Sequence, residues 1–132
     1  MADEVRVPIE RESDIVVARQ KGRALAAELG FSSCDQTLIA TAISEITRNI
    51  ITYATRGELS LRSIRNGKQG LSITAVDEGP GIANLDQAMQ NGYSTAGSLG
   101  LGLPGAKRMM DEFKIWSEPG KGTTVRMKKW KH

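Results

Sequence analysis

The chain has 132 residues, 39% of them hydrophobic and 25% charged, with a formal net charge of +3, which fits one ordinary folded domain and argues against a disordered chain. It contains one cysteine and one histidine, so an internal disulfide, a paired-cysteine zinc site and a histidine-based catalytic triad are excluded. Acid–base chemistry within the fold must therefore fall to Asp, Glu or Lys.

The N-terminal part of the chain predicts a short strand and a long helix. The strand alternates apolar and polar residues, and a proline inside it favours an edge position; its residues are Val5, Val7, Pro8 and Ile9. Ser13 or Asp14 can cap the helix that follows, and Gly30 can end it. The apolar positions of this helix recur at spacings of three and four, and they are Ile15, Ala18, Gly22, Leu25, Ala26 and Leu29.

The middle of the chain predicts a second helix and a hairpin. The helix begins near Ser33 or Asp35, and Gly57 follows its end. Its apolar stripe consists of Ile39, Ile43, Ile46, Ile50 and Tyr53. Strands over 59–65 and 71–76 flank a turn at Asn66-Gly67.

A glycine-rich segment over 77–105 follows, with a short helix expected over 85–90. A further helix is indicated by Leu103, Ala106, Met109 or Met110, and Phe113. Two last strands, over 113–117 and 123–130, flank a turn at 119–122. The elements predict a single α+β domain over 1–132, with helices on one face of a mixed, mostly antiparallel sheet.

The C-terminal segment 126–132 is basic and suggests a nucleic-acid interaction. The alternative is a final strand with solvated lysines along one edge of the sheet, which discourages aggregation. We expect no nucleic-acid partner, because no RNA-binding motif or helix-turn-helix spacing accompanies the charge. No apolar run approaches the roughly 20 residues of a membrane helix, and residues 1–13 have no apolar signal segment, so we expect a cytoplasmic protein without a membrane partner.

Two polar side chains of the second helix, Glu45 and Asn49, are four residues apart and therefore project from one face. A solvated polar face is the simpler explanation of such a pair. Asparagine, however, is a poor residue for a helix interior, and its amide oxygen can bind Mg²⁺. A carboxylate one turn away can orient or deprotonate a nucleophile.

The sequence Asp77-Glu-Gly-Pro-Gly81 directly follows a predicted strand, and its glycines would let the backbone approach a planar ligand. Asp77 could accept a hydrogen bond from an exocyclic amine such as that of adenine. A tight turn in which Asp77 caps a backbone N–H is the alternative. Thr123, in the turn before the last strand, could add a hydroxyl to the same pocket, although a hairpin turn needs no function.

Gly100, Gly102 and Gly105 match the dinucleotide pattern G-x-G-x-x-G, but no strand leads into them and no βαβ unit surrounds them. The segment also lacks the Gly-Lys-Ser/Thr ending of a Walker A loop. A glycine-rich backbone that runs into a helix N-terminus still offers free N–H groups to phosphate. The residues over 92–98 would form a lid whose closure excludes water.

Taken in chain order, the segments 45–49, 77–81, 100–103 and 122–123 resemble the four conserved boxes of the GHKL ATPase superfamily. This resemblance implies the Bergerat fold, a two-layer sandwich, with a site for ATP and Mg²⁺. The segments 44–50 and 93–113 are similar to the serine/threonine switch kinases of the bacterial stressosome. A histidine kinase would need a phospho-accepting histidine on a dimerisation helix, which this chain does not contain.

The resemblance also implies a role for each site residue. Asn49 would hold the Mg²⁺, and Glu45 would receive the proton of the substrate hydroxyl. Asp77 would bind the adenine amine. The remaining residues of the nucleotide site would be Gly79, Gly81, Gly100, Gly102 and Thr123, with Gly81 and Thr123 acting through a water and Gly100 and Gly102 shaping the triphosphate site.

The implied partners are STAS-domain scaffold and antagonist proteins as substrates, and a PP2C-type phosphatase as the activation target. An alternative is an anti-sigma factor kinase, which sequesters a sigma factor and phosphorylates its STAS antagonist. A more distant alternative is a non-catalytic module that uses the pocket only to bind a partner.

Overall fold

The computed structural model describes residues 4–54, 56–80 and 102–131. Within them the elements are β1 (Glu4–Ile9), α1 (Glu12–Glu28), α2 (Ser33–Tyr53), β2 (Gly57–Arg65), β3 (Gln69–Asp77), α3 (Gly102–Met109), β4 (Glu112–Glu118) and β5 (Gly122–Trp130). This order confirms the predicted α+β class. The short helix expected over 85–90 and the lid expected over 92–98 lie outside the described residues.

Five strands form one sheet in the order β1-β2-β3-β5-β4, and each pairing among these described strands is antiparallel. The edge position predicted for the first strand is confirmed, since β1 pairs only on its β2 side in this order. The lysine-lined sheet edge predicted for the last strand is wrong, because β5 lies between β3 and β4. The pairing of β3 with β5 sets Asp77 opposite Thr123.

The helix α1 begins at Glu12, and its cap differs from the one expected. Ser13 lies inside the first turn. Asp14 does stabilise the helix start, since its Oδ2 atom accepts the backbone N–H groups of Glu10 at 2.9 Å and Arg11 at 3.2 Å. Gly30 follows the last turn with a φ of 86°, as expected of a glycine that ends a helix.

The helix α2 is capped by Ser32, whose hydroxyl accepts the Asp35 N–H at 3.1 Å. Its isoleucine stripe is buried as predicted, but Tyr53 is 44% exposed and does not continue it. The reason is the helical step of about 100° per residue, which places Ala54 nearer than Tyr53 to the direction of Ile50. Ala54 accordingly packs against the core.

The helix α3 is shorter than the apolar spacing indicated. It ends at Met109, and Phe113 lies in β4, where it packs against the core from a strand position. Lys129 of β5 contributes to this helix end, since its Nζ atom donates to the Met109 carbonyl oxygen at 2.8 Å. A cation at the last turn of a helix is favourable, which gives this buried lysine a structural role.

The core lies between the helices and one face of the sheet. The strands contribute a continuous apolar surface to it, made of Val7, Ile9, Leu59, Leu61, Leu71, Ile73, Ala75, Val125 and Met127. The alternate positions form a polar face that includes Ser60, Arg62, Thr74, Arg126 and Lys128. Within the described ranges, none of the helices is both long and apolar enough to cross a membrane.

Candidate functional site

Asp77 is the last residue of β3 and is 7% exposed. Its Oδ1 atom accepts two backbone N–H groups, from Gly79 at 3.0 Å and from Thr123 at 3.2 Å. Burial raises the pKa of the Asp77 carboxyl above its ordinary value, and the two N–H groups offset part of this effect. Asp77 therefore caps a turn, as the structural interpretation of the sequence expected, and both backbone donors converge on one of its two oxygens.

Gly79 is required where the turn passes the end of α2. A Cβ atom at this position would lie 2.5 Å from the Cβ and 2.6 Å from the Cα of Ala54. Since the Ala54 Cα belongs to the backbone, a side chain could not be accommodated by a rotamer change. Gly79 thus fixes the turn after β3 against α2, a packing requirement that the sequence interpretation, based on ligand approach, did not foresee.

The turn between β4 and β5 is held against the same segment. Gly122 has a φ of 87°, and a Cβ there would overlap the carbonyl oxygen of Asp77. The Gly120 N–H donates to the Pro80 carbonyl oxygen at 2.6 Å. These contacts join the turn over 119–122 to residues 77–80, so Thr123 is brought to Asp77 by the backbone.

Ser117 is a residue that the sequence analysis missed. Its Oγ atom donates to the Gly122 carbonyl oxygen at 3.1 Å and lies 2.8 Å from the Thr123 Oγ1 atom. The signal was present in the alternation of β4, because Ser117 shares the core-facing phase with Phe113 and Ile115. A polar residue in that phase needs a partner. Asp77, Gly79, Ser117, Gly122 and Thr123 are called the Asp77 cluster below.

Glu45 connects α2 to the start of α3. It is 7% exposed, and its Oε1 atom accepts the Gly102 N–H at 3.0 Å, across 57 residues of sequence. Its Oε2 atom lies 3.0 Å from the Arg48 guanidinium. A carboxylate at a helix N-terminus is favourable, so Glu45 occupies the kind of position in which an anionic ligand would also be stabilised.

Asn49 lies one turn beyond Glu45 on α2 and is half-buried. No group of three or more His, Cys, Asp or Glu residues that could hold a metal ion is found in the described parts of the chain. Mg²⁺ commonly takes one or two protein oxygens and completes its shell with water and substrate phosphates. An amide oxygen at Asn49 fits that second kind of site. Two further predicted site residues, Gly81 and Gly100, lie outside the described residues.

The helix α2 passes both parts of the candidate site. Glu45 meets the start of α3, and Ala54 meets Gly79 in the Asp77 cluster. At 1.5 Å per residue, these two contact points are about 13 Å apart along the helix axis. An extended nucleoside triphosphate has a comparable length. The arrangement can therefore place a buried acceptor near one end of such a ligand and a carboxylate, an amide and a helix N-terminus near the other.

The chain is similar to several known proteins. A family model described as a histidine kinase-like ATPase domain matches residues 8–129. The chain is 50% identical over 131 residues to the serine/threonine-protein kinase RsbT of Bacillus subtilis (strain 168), and the match covers 98% of each chain. It is 35% identical over 118 residues to the anti-sigma F factor of Thermoanaerobacter sp. (strain X514), covering 86% of this chain and 82% of the relative.

Among solved structures, the fold is similar to that of a Mycobacterium tuberculosis protein with RsbU and RsbW domains. The TM-score is 0.66, the sequence identity is 21%, and the match covers 98% of this chain and 32% of that chain. At this level of identity the likeness supports the fold alone.

Proposed function

The chain belongs to the histidine kinase-like ATPase domain family, and we propose that it is a serine/threonine protein kinase that phosphorylates STAS-domain proteins. Similarity at 50% identity over nearly the whole length to a serine/threonine-protein kinase supports the reaction. The structural observation that supports an ATP site is the course of α2. One end of this helix contacts the Asp77 cluster, and the part that carries Glu45 and Asn49 contacts Gly102 through Glu45.

The Asp77 cluster is the proposed adenine end. The Oδ1 atom of Asp77 accepts two backbone N–H groups, which leaves the acceptor capacity of Oδ2 for the exocyclic amine of adenine. Thr123 and Gly81 assist through a bridging water in this proposal, and Gly79 holds the turn in place. Since Asp77 is buried, a hydrogen bond to its charged form is worth more than it would be in water.

The segment around Asn49 and Gly102 is the proposed triphosphate end. Asn49 supplies an oxygen for Mg²⁺, which neutralises phosphate charge when bound, while Gly100 and Gly102 shape the backbone around the phosphates. Glu45 receives the proton of the attacking serine or threonine hydroxyl. The contacts of its two oxygens with Gly102 and Arg48 hold the Glu45 carboxylate in place. A carboxylate has about four lone-pair sites, so these two contacts do not prevent it from receiving a proton.

The proposed partners are STAS-domain scaffold and antagonist proteins as substrates and a PP2C-type phosphatase as the activation target, in a partner-switching stress response. The named relatives, a kinase called RsbT and an anti-sigma F factor, support a partner-switching role. We place the reaction in the cytoplasm, where ATP is available.

Phosphotransfer can be measured directly. The protein, labelled ATP, Mg²⁺ and a purified STAS-domain scaffold protein are incubated together, and the labelled residue is mapped by mass spectrometry. We expect phosphoserine or phosphothreonine on the scaffold. Glu45→Gln keeps an oxygen for the Gly102 N–H, so it should bind ATP like the parent while transfer falls by about 10²–10⁴-fold, the usual contribution of a general base. Transfer at the parent rate by Glu45→Gln would show that Glu45 is not the base.

The anti-sigma factor kinase is the second candidate, favoured by the 35% identical anti-sigma F factor. The two candidates share the ATP chemistry and differ in partner. In size-exclusion chromatography with ATP and Mg²⁺, a switch kinase should elute apart from a sigma factor and together with a STAS protein or the phosphatase. A stable complex with the sigma factor would replace the first proposal by the second. ATP binding without transfer to any STAS protein would leave a non-catalytic binding module.

A further inference from the structure

The hydroxyl groups of Ser117 and Thr123 form a pair beside Asp77. The two residues are directly opposite in the pairing of β4 with β5, and their oxygen atoms are 2.8 Å apart. One of the two hydroxyls must donate to the other, and the direction decides what Thr123 can offer to a ligand.

The neighbouring carbonyl group sets this direction. The Gly122 carbonyl oxygen lies 3.1 Å from the Ser117 Oγ atom. A carbonyl oxygen can only accept, so the proton between these two oxygens belongs to Ser117. A serine hydroxyl has one proton, and therefore the proton between Ser117 and Thr123 comes from Thr123. The Thr123 hydroxyl is thus left with lone pairs alone for any further partner.

Asp77 likewise presents only hydrogen-bond acceptors. An ionised carboxylate has only acceptor atoms, and its Oδ1 atom already receives the N–H groups of Gly79 and Thr123. The side chains of Asp77 and Thr123 therefore both present acceptors. A ligand group that meets both side chains directly must donate a hydrogen bond. A water that bridges Asp77 and Thr123 uses both of its protons on these two acceptors, so it offers only lone pairs to the ligand and likewise requires a donor there.

We propose that Ser117 is a specificity-determining positioning residue, which fixes the Thr123 hydroxyl as an acceptor and thereby selects adenine against purines that carry a carbonyl at position 6. Adenine has a donating amine at that position, whereas guanine and hypoxanthine have an accepting oxygen. This inference rests on the proposed function, since it assumes that the nucleotide base lies against the Asp77 cluster. Ser117 acts through Thr123 and needs no contact with the base.

The test measures the ratio of the affinities for two nucleotides rather than the affinity for one. Dissociation constants for ATP and ITP are measured with Mg²⁺ by isothermal titration calorimetry for the parent and for Ser117→Ala. ITP carries the position-6 carbonyl and lacks the additional amine of guanine. Removing the Ser117 acceptor frees the Thr123 hydroxyl to rotate and donate, so the preference for ATP over ITP should fall by roughly tenfold, the scale of one misplaced hydrogen bond.

Two control variants and one second test variant separate an effect on nucleotide preference from an effect on the structure. Ser117→Thr keeps a hydroxyl and should retain the parental preference. Ser60→Ala removes a serine from the opposite, polar face of the sheet and should also leave the preference unchanged. Ser117→Cys keeps the shape but offers a weak acceptor, so its preference should fall as well, which provides a second test if Ser117→Ala does not fold.

The outcomes distinguish this inference from the function on which it rests. If ATP and ITP weaken by the same factor in Ser117→Ala or Ser117→Cys, Ser117 has only a structural role and the inference is wrong, while the kinase proposal stands. If the parent protein binds no adenine nucleotide, the proposed function fails first and the inference fails with it. A preference that falls in both variants and is retained in Ser117→Thr supports the inference.

Discussion

Asp77 is a buried carboxylate whose two backbone donors do not remove the cost of its burial. Because the pKa of the folded form is raised, the native state binds this proton more readily than the unfolded state over the window between the two values. The contribution of this group to stability is therefore fully present below the unfolded pKa and is lost as the pH rises through the folded pKa. Above the folded pKa the group is charged in both states, and its burial cost is at its greatest.

The raised pKa of Asp77 predicts how the substitution Asp77→Asn changes stability with pH. The amide has no charge to bury and can still accept the N–H groups of Gly79 and Thr123 through its oxygen. We expect the free energy of unfolding of the variant, relative to the parent, to increase as the pH rises from the unfolded to the folded pKa of Asp77 and then to level off. Urea denaturation at several pH values between 3.5 and 7 measures this difference. A difference that is independent of pH, or that becomes less favourable to the variant as the pH rises, would contradict the burial of a charged Asp77.

Two glycines of the turn over 119–122 give a matched pair of substitutions. Both have left-handed backbone, with φ of 80° at Gly120 and 87° at Gly122. No atom of the residues that the structure describes lies within 4 Å of a Cβ built at Gly120, whereas one at Gly122 would overlap the Asp77 carbonyl oxygen. The pair therefore separates the cost of backbone conformation from the cost of lost contact between the turn and β3.

We expect Gly120→Ala to lower the free energy of unfolding by about 1 kcal/mol, the cost of a left-handed alanine. Gly122→Ala should cost about 2–4 kcal/mol, because the overlap with the Asp77 backbone adds to the same conformational term. Urea unfolding of both variants measures the difference. Equal losses would mean that Gly122 is required only for its conformation and that the turn does not depend on its close approach to Asp77.

At the scale of elements, α2 connects the two ends of the site. Its cap at Ser32, its isoleucine stripe and its end against Gly79 fix both the rotation and the position of the helix. With that rotation set, Glu45 reaches Gly102, and Asn49 follows one turn later. A change on this helix can therefore be assigned to chemistry when the stripe and the cap are left intact.

The Asn49 amide is the proposed protein ligand of Mg²⁺, and α2 offers a nearby control in the exposed Thr52. For the parent and for Thr52→Ala, ATP should bind more tightly with Mg²⁺ than with EDTA. For Asn49→Ala, loss of the amide oxygen should weaken Mg²⁺-dependent ATP binding by at least about tenfold, so that the difference between the two conditions shrinks. Isothermal titration calorimetry in the Mg²⁺ buffer and in the EDTA buffer measures this difference in ATP affinity. An unchanged response to Mg²⁺ would remove Asn49 from the proposed metal site.

The helices and strands were predictable from the sequence where apolar residues recur at a regular spacing or where a turn-forming residue marks a boundary. The isoleucines of α2, the alternation of β1 and the Asn66-Gly67 turn gave the correct element types and approximate bounds. The exposure of Tyr53 follows from the helical step, which places Ala54 rather than Tyr53 near the direction of Ile50. The inner position of β5 depends on strand pairing, which local periodicity does not encode.

At the scale of the whole molecule, the candidate site is assembled from distant parts of the chain. The segments that carry Asp77, Glu45 and Thr123 could be recognised one by one from residue types and from the resemblance to a known superfamily. Their contacts could not, since Glu45 with Gly102 spans 57 residues and Thr123 with Asp77 spans 46. The alternation of β4 marks Ser117 as a polar residue in the core-facing phase, but its contact with Thr123 beside Asp77 follows only from the register of β4 with β5 and the approach of that hairpin to β3.

The antiparallel pairing of β3 with β5 also has a consequence for the time course of folding. The hairpins β2-β3 and β4-β5 each join neighbours in sequence and can form quickly, whereas β3 with β5 joins the two hairpins over a long separation and pays a larger loop-closure entropy. The Asp77 cluster lies on that junction. We therefore expect ATP binding to arise only once the two hairpins have docked, so that a newly made or partly unfolded chain has no kinase activity.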